Sequence, residues 1–303
     1  MTRKIFFLCF IFLCAGIFLV SAQTDRNEVI YSPPYFGPNA LPVQEVGDGK
    51  IPDYTQFGFS TDYSFGYGDK TLAWQLSAEI PLLPKYVSLK AWMMVHEFFW
   101  LTPEVYRERG IDSSQKASGW ATGDIYFQTR ISVLRETERR PQITVNISFK
   151  TASGGKFDQR RHYDSPAYFF DGSVAKSFPI NRKFLNDIRL VGTIGFLCWE
   201  TTNSRQNDAG IFGLNLILSN SFLAFENQVA GYWGRLNNGD RPLTYRTKLT
   251  YKHKSFDLFF QYQYGIMNFP YHQIRLGITV PVKILTPKFQ IKEKEKKIDD
   301  SKI

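Results

Sequence analysis

An apolar residue at every second position, in segment after segment from Tyr54 to Val280, is the feature that most restricts this chain. Such alternation puts one whole face of an extended strand against something dry and the other against something wet. The two clearest cases are neighbours. Ile125, Phe127, Ile131 and Val133 alternate with Asp124, Gln128, Arg130 and Ser132, and Ile143, Val145, Ile147 and Phe149 alternate with Thr144, Asn146, Ser148 and Lys150. Comparable segments begin near Phe57, Leu72, Val87, Tyr168, Ile188, Phe212, Leu223, Leu243, Phe256 and Ile274, which makes twelve. With flanking residues each is roughly 9–12 long, the length a tilted strand needs to cross a bilayer.

The connections support the same reading. The odd-numbered ones are Tyr67–Lys70, Glu97–Trp120, Ala152–Pro166, Glu200–Asn207, Gly234–Asp240 and Ile266–Pro270. The even-numbered ones, Pro81–Lys85, Arg135–Arg140, Phe178–Lys183, one near Asn220 and His253–Lys254, are tight turns. Longer loops therefore gather on one side, as in outer-membrane barrels. A soluble β-sandwich or lipocalin-like barrel alternates too. Long strands, loop lengths that alternate in step, and ionisable residues on the non-apolar face favour the membrane. So does an aromatic content of 16%, because aromatic girdles mark both membrane interfaces. The expected fold is an all-β antiparallel transmembrane β-barrel of about twelve strands, with short periplasmic turns and longer extracellular loops.

The ends fit an exported chain. Arg3 and Lys4 precede an uncharged apolar run from Ile5 to Val20, and Val20-Ser21-Ala22 offers small residues to a signal peptidase. Residues 1–22 are expected to be a cleaved signal peptide, leaving Gln23 first and the location the bacterial outer membrane. Loss of Arg3 and Lys4 lowers the formal net charge of +9 by two. Cys9 and Cys14 leave with the signal, so Cys198 remains alone and no internal disulfide can form. No later apolar run is long enough for a helical span, so entry into a bilayer requires a closed barrel. Residues 23–53, rich in Pro and Gly, read as an irregular arm, 54–285 as the barrel and 286–303 as a charged tail solvated in the periplasm.

Collected from the polar faces, the candidate lumen carries Lys90, Arg130, Lys150, Arg189, Arg246, Lys248, Lys252 and Arg275 against Asp62, Glu79, Asp124, Asp171, Asp187, Glu226 and Asp257. A pore selective for one sign of ion lines itself with one sign of charge. Near balance points instead to pairing across a narrow or plugged interior. The arm is a candidate plug, with Tyr31, Tyr35 and Phe36 suited to an apolar or aromatic solute; a disordered periplasmic leader is the other reading. Enzyme chemistry finds little support. His253-Lys254-Ser255 has the His-x-Ser spacing of some outer-membrane lipid A deacylases, but it falls in a turn on the periplasmic side. His96, His162, His253 and His272 show no metal spacing. No catalytic residue, metal or cofactor is expected. Arg160-Arg161-His162 is expected in a solvated external loop within reach of lipopolysaccharide phosphates.

The stretch Gly123-Asp124-Ile125-Tyr126-Phe127-Gln128-Thr129-Arg130, then a charged turn, then Pro141 to Phe149 and Lys150-Thr151-Ala152-Ser153-Gly154, is similar to one in the outer-membrane family named for the MetA-pathway of phenol degradation. There a Gly-Asp strand leads to a hairpin partner ending in a Lys/Pro-Thr-Gly-like loop; here Ala152 and Ser153 separate Thr151 from Gly154. The resemblance covers about 30 residues directly. It implies a twelve-stranded barrel related to hydrophobic-solute channels, and uptake of aromatic compounds. The expected function is therefore passive passage of small, apolar or aromatic solutes. The alternatives are a closed-lumen barrel that binds partners through its external loops, and a barrel-borne lipid hydrolase. The expected partners are outer-membrane lipids and lipopolysaccharide, a small-molecule solute and the barrel assembly machinery, with no nucleic acid and no assignment of oligomeric state.

Overall fold

A computed structural model describes residues 30–182, 184–200 and 206–287. The expected signal peptide, residues 23–29 of the arm, positions 201–205 of one loop and most of the charged tail lie outside the described residues. The strands are β1 (Thr55–Gly66), β2 (Asp69–Leu83), β3 (Val87–Leu101), β4 (Ser118–Ala121), β5 (Ile125–Leu134), β6 (Gln142–Lys150), β7 (Ala167–Arg182), β8 (Leu185–Glu200), β9 (Gln206–Ser219), β10 (Leu223–Gly234), β11 (Leu243–Lys252), β12 (Asp257–Met267) and β13 (His272–Val282). All pairings are antiparallel, and β1 closes the ring against β13 from Thr55↔Val282 to Phe65↔His272. Short β4 pairs with the upper end of β3 and β5 with its lower end, so the two form one interrupted stave. The result is the closed twelve-strand barrel.

Alternation decides which residues face out. Phe57, Leu76, Phe127, Ile194, Leu214, Phe225 and Phe260 all lie on the exposed outer face. Ser60, Asp62, Thr144, Ser173, Arg189, Gln228 and Gln261 point inward and are buried. Apolar out and polar in is the inverse of a soluble fold, and it suits lipid outside.

Three sequence expectations need correction. Alternation places His96 on the polar face, but β3 changes register between Met94 and His96. Past this bulge the faces exchange, as an extra residue must make them do. His96 consequently lies outside among Trp74, Phe98 and Trp120, while Glu97 and Phe99 turn inward and are fully buried. Second, the loop expected at Glu97–Trp120 is shorter, because β3 continues to Leu101 and β4 begins at Ser118; between them lies α1 (Pro103–Glu108). Third, the turn expected at Phe178–Lys183 is mostly strand, since β7 runs to Arg182.

The interior is not a uniform wet pore. Toward the loop end, Phe169, Leu197, Trp199, Tyr232 and Tyr271 pack with Tyr31, Phe36 and Leu41 into a dry cluster. Toward the turn end the inner wall is polar. Leu214→Arg, at the middle of the outer face, is expected to lower barrel stability by about 2–4 kcal/mol, read as a shift in the urea midpoint for folding into lipid vesicles. An unchanged midpoint would show that this band does not face lipid.

Candidate functional site

The arm does enter the lumen. It starts beside the loop end, runs down the inside, and joins β1 at the turn end. A ladder of wall side chains holds its backbone. At the top Tyr271 Oη donates to the Phe36 carbonyl at 2.5 Å. Lower down Arg246 donates to the carbonyls of Val43 at 2.6 Å and Gln44 at 3.2 Å. Gln228 accepts from the Val46 amide at 2.9 Å, and Asn215 donates to the Val46 carbonyl at 2.9 Å. Arg189 donates to Asp48, Thr144 to Gly49 and Arg130 to Lys50, at 2.7, 2.7 and 2.8 Å. These contacts explain how an irregular segment can lie buried: each peptide group that loses water gains a wall partner. Gly213 completes the fit, because a side chain there would collide with Val46.

At the loop end the arm is locked by buried charge. Arg161 pairs with Asp69 at 2.6 Å and Glu97 at 2.7 Å, and Arg109 pairs with the same Asp69 oxygen at 2.8 Å. Asn39 of the arm donates to the other Glu97 oxygen at 2.6 Å. All four charged side chains are at most 1% exposed. Arg161 and His162 are therefore not a solvated external pair, as the sequence suggests; the loop folds into the barrel mouth and satisfies carboxylates from β2 and β3. Burial holds the His162 imidazole below its ordinary pKa, against the pull of Glu97 and Asp124, so it is neutral at pH 7. Tyr31 and Phe36 pack edge-on against Tyr163 of the same loop. Tyr35 is half-buried, with the Arg160 guanidinium over its ring.

The structure places all the candidate lumen residues on the inner wall but gives them different tasks. Lys150 is fully buried, pairs with Asp124 at 2.8 Å and donates to the Tyr163 and Ser165 carbonyls. Arg130 pairs with Glu79 at 2.7 Å, Arg275 with Asp62 at 2.7 Å and Glu45 at 2.9 Å, and Lys248 with Glu226 at 3.5 Å. Arg189 pairs with Glu136, and Asp171 accepts from Asn146 at 2.7 Å. Asp257 lines the lower part of the lumen. The near balance of charge in the sequence is thus realised as individual pairs, with the arm's Glu45 a member that strand patterns do not reveal.

Among the described residues, two cavities lie beside the arm. The upper, about 280 Å³, is bounded by Trp92, Met94, Tyr126, Phe259, Phe269 and His162, with Lys90, Lys248 and Arg275 among its polar walls. The lower, about 410 Å³, is polar and is lined by Arg130, Asp171, Asp187, Glu226, Lys252 and Asp257. Lys90, Gln128, Lys248, Phe259 and Glu45 border both, so they form a waist between them. Phe259 can point inward because Gly277 beside it has no side chain to obstruct the ring. Trp92, Tyr126 and Phe259 escaped sequence reading because each sits where both faces of its strand are apolar. His253 and Ser255 lie in the turn between β11 and β12, where His253 Nδ1 accepts from the Ser255 amide at 3.3 Å.

Comparisons with family models and with curated proteins returned no match. Solved structures did match. An outer-membrane channel from Pseudomonas putida F1 aligns over 86% of this chain and 100% of its own at 10% identity, with a TM-score of 0.52. The NanC porin aligns over 75% of this chain and 100% of its own at 11% identity and a TM-score of 0.47. The CymD monoaromatic hydrocarbon channel covers 85% of this chain and 99% of its own at 8% identity and a TM-score of 0.39. At such identities the first likeness establishes the barrel fold, and the other two carry no further argument.

Arg161→Met would leave Glu97 buried without a cation. Breaking a buried pair in this way costs about 3–5 kcal/mol, so the unfolding midpoint of the detergent-solubilised barrel is expected to fall clearly. A midpoint equal to wild type would show that the knot does not hold the loop end together.

Proposed function

We propose that this chain is an outer-membrane channel for small solutes, with its loops at the cell surface, its turns in the periplasm, and a passage that runs beside the arm. The observation that carries the reading is the pair of cavities meeting at a waist of Lys90, Lys248, Phe259 and Glu45. A barrel whose only task is to present loops has no need of two adjoining interior cavities with aromatic and charged walls. The proposal assigns the chain no catalytic step and no cofactor. The aromatic walls of the upper cavity favour solutes with a flat apolar part, in keeping with the family resemblance of Gly123–Gly154.

The loop end is the tighter closure. Phe36, Tyr163 and Arg161 are at most 1% exposed there, so passage requires the arm's aromatic residues or the 151–166 loop to shift. That same closure favours a second reading, a barrel with a sealed lumen that acts through its surface loops. Conductance decides between them. Arg246→Ala removes the bonds to the Val43 and Gln44 carbonyls and frees the arm beside the waist. Planar-bilayer recordings are expected to show small steps for the wild type and larger, noisier steps for the variant. Absence of steps from both, with heat-modifiable gel migration confirming folded barrels, would sink the channel and leave the sealed barrel.

A further inference from the structure

We infer that the upper cavity is a binding site for a small aromatic carboxylate, with the ring against Trp92 and Tyr126 and the carboxylate at Lys90. The inference rests on the reading that solutes reach the lumen, and it names their chemical class.

The argument begins with charge. Most inner-wall cations have a carboxylate partner within ion-pair distance, among them Arg130, Lys150, Arg189, Lys248 and Arg275; among the described residues Lys90 and Arg246 have none. Glu79 stands opposite Lys90 in the β2–β3 register. That carboxylate is already engaged by Arg130 at 2.7 Å and Ser88 at 2.6 Å. The Lys90 ammonium lies instead 5.2 Å from the centroid of the Trp92 ring, at the waist. Arg246, also on the cavity wall, spends its guanidinium on arm carbonyls, Gln228 and Gln263, all neutral. The cavity therefore has two cations with no carboxylate in ion-pair contact, while the carboxylates in its lining, Glu45 and Asp124, are engaged by Arg275 and Lys150; a partly buried cation without such a partner favours an incoming anion.

Hydrogen bonding points the same way. Tyr126 is 6% exposed and lines the cavity, and its hydroxyl has no partner. His162, 1% exposed, also lines it and has no hydrogen-bond partner on either ring nitrogen. Buried polar atoms are normally satisfied, so two unpartnered side chains on one small cavity mark a place where a ligand or water completes the set. Shape supplies the rest. Trp92 and Tyr126 stack on each other 5.0 Å apart at 11°, which fixes a rigid aromatic pair in one wall. Phe259 and Phe269 belong to the same lining. A volume of about 280 Å³ sits at the lower end of small-molecule sites. An anion with a planar apolar body satisfies ammonium, unpartnered polar groups and aromatic wall together; a hydrocarbon leaves Lys90 unmatched, and a cation opposes it.

Isothermal titration of the full-length, detergent-solubilised barrel tests the site without requiring passage. Benzoate is expected to bind more tightly than benzyl alcohol, and benzylammonium not at all. Lys90→Gln is expected to weaken benzoate by about tenfold or more, as loss of a charge-assisted bond should, while leaving benzyl alcohol unchanged. Lys90→Arg should retain most of the affinity, and Trp92→Leu should weaken both benzoate and benzyl alcohol. Equal binding of benzoate and benzyl alcohol to the wild type, or no benzoate heat, would overturn the inference even if the variants failed to fold. Benzoate binding unaffected by Lys90→Gln would overturn it too. Binding without bilayer conductance would sink the channel and keep the site; conductance without benzoate binding would do the reverse.

Discussion

Everything in this molecule follows from the requirement that no strand edge meet lipid. A peptide group that cannot find water in the bilayer must find another peptide group. The register of β1 with β13 meets that requirement by joining the first strand to the last. Closure fixes the strand number, and the strand number fixes the interior. Twelve strands enclose more room than inner-wall side chains alone fill, so the space is either water or more protein. Here much of it is protein. The arm from Tyr31 to Lys50 supplies it, and because its backbone is irregular it needs a wall rich in donors and acceptors. Arg246, Arg189, Arg130, Asn215 and Gln228 are therefore parts of a socket before they are parts of a pore.

The two ends of the lumen meet the same need differently. At the turn end the wall binds arm carbonyls one by one and leaves polar space around them. At the loop end aromatic packing and a buried ionic knot exclude water. A buried ion pair is weak evidence of stability, because desolvation consumes much of its attraction. Its value here is geometric. Asp69 and Glu97 are shared by Arg109 from the loop after β3, Arg161 from the loop after β6, and Asn39 from the arm, so the seating of each segment completes the partners of the others. The knot couples three segments that have no secondary structure in common.

The barrel was readable in the sequence because its cause is local: a period of two needs only neighbouring residues. The same locality explains the failures. A bulge at Val95 inverts the faces of β3 beyond it, and nothing in Met94-Val95-His96 announces the extra residue. The inner wall near the loop end is apolar on both faces, as in Phe169-Phe170 and Leu197-Cys198-Trp199, so alternation fades where the core is densest. Arg161 looked like a surface residue because its acceptors, Asp69 and Glu97, stand 92 and 64 positions away. The arm's aromatic residues were legible as plug candidates; its Glu45 was not, since a carboxylate in a Pro-rich stretch carries no pattern that predicts Arg275 as its partner.

Charge balance, the other signal the sequence offered, turns out to be informative by its exceptions. Counted over the lumen, the two signs nearly cancel, which argues against an ion-selective pore. Counted pair by pair, the cancellation is uneven. Asp124 has Lys150, Glu79 has Arg130, Asp62 has Arg275 and Glu226 has Lys248. What remains is the Arg246 guanidinium, spent on neutral acceptors, and the Lys90 ammonium against Trp92, on the border shared by two cavities. Under the proposed channel reading, a wall that pairs most of its charges and leaves Lys90 and Arg246 without a carboxylate keeps much of its length indifferent to a solute and concentrates selectivity beside the upper cavity. A channel of that kind would restrict passage at one place without binding a solute so strongly along the rest of the route that it cannot leave.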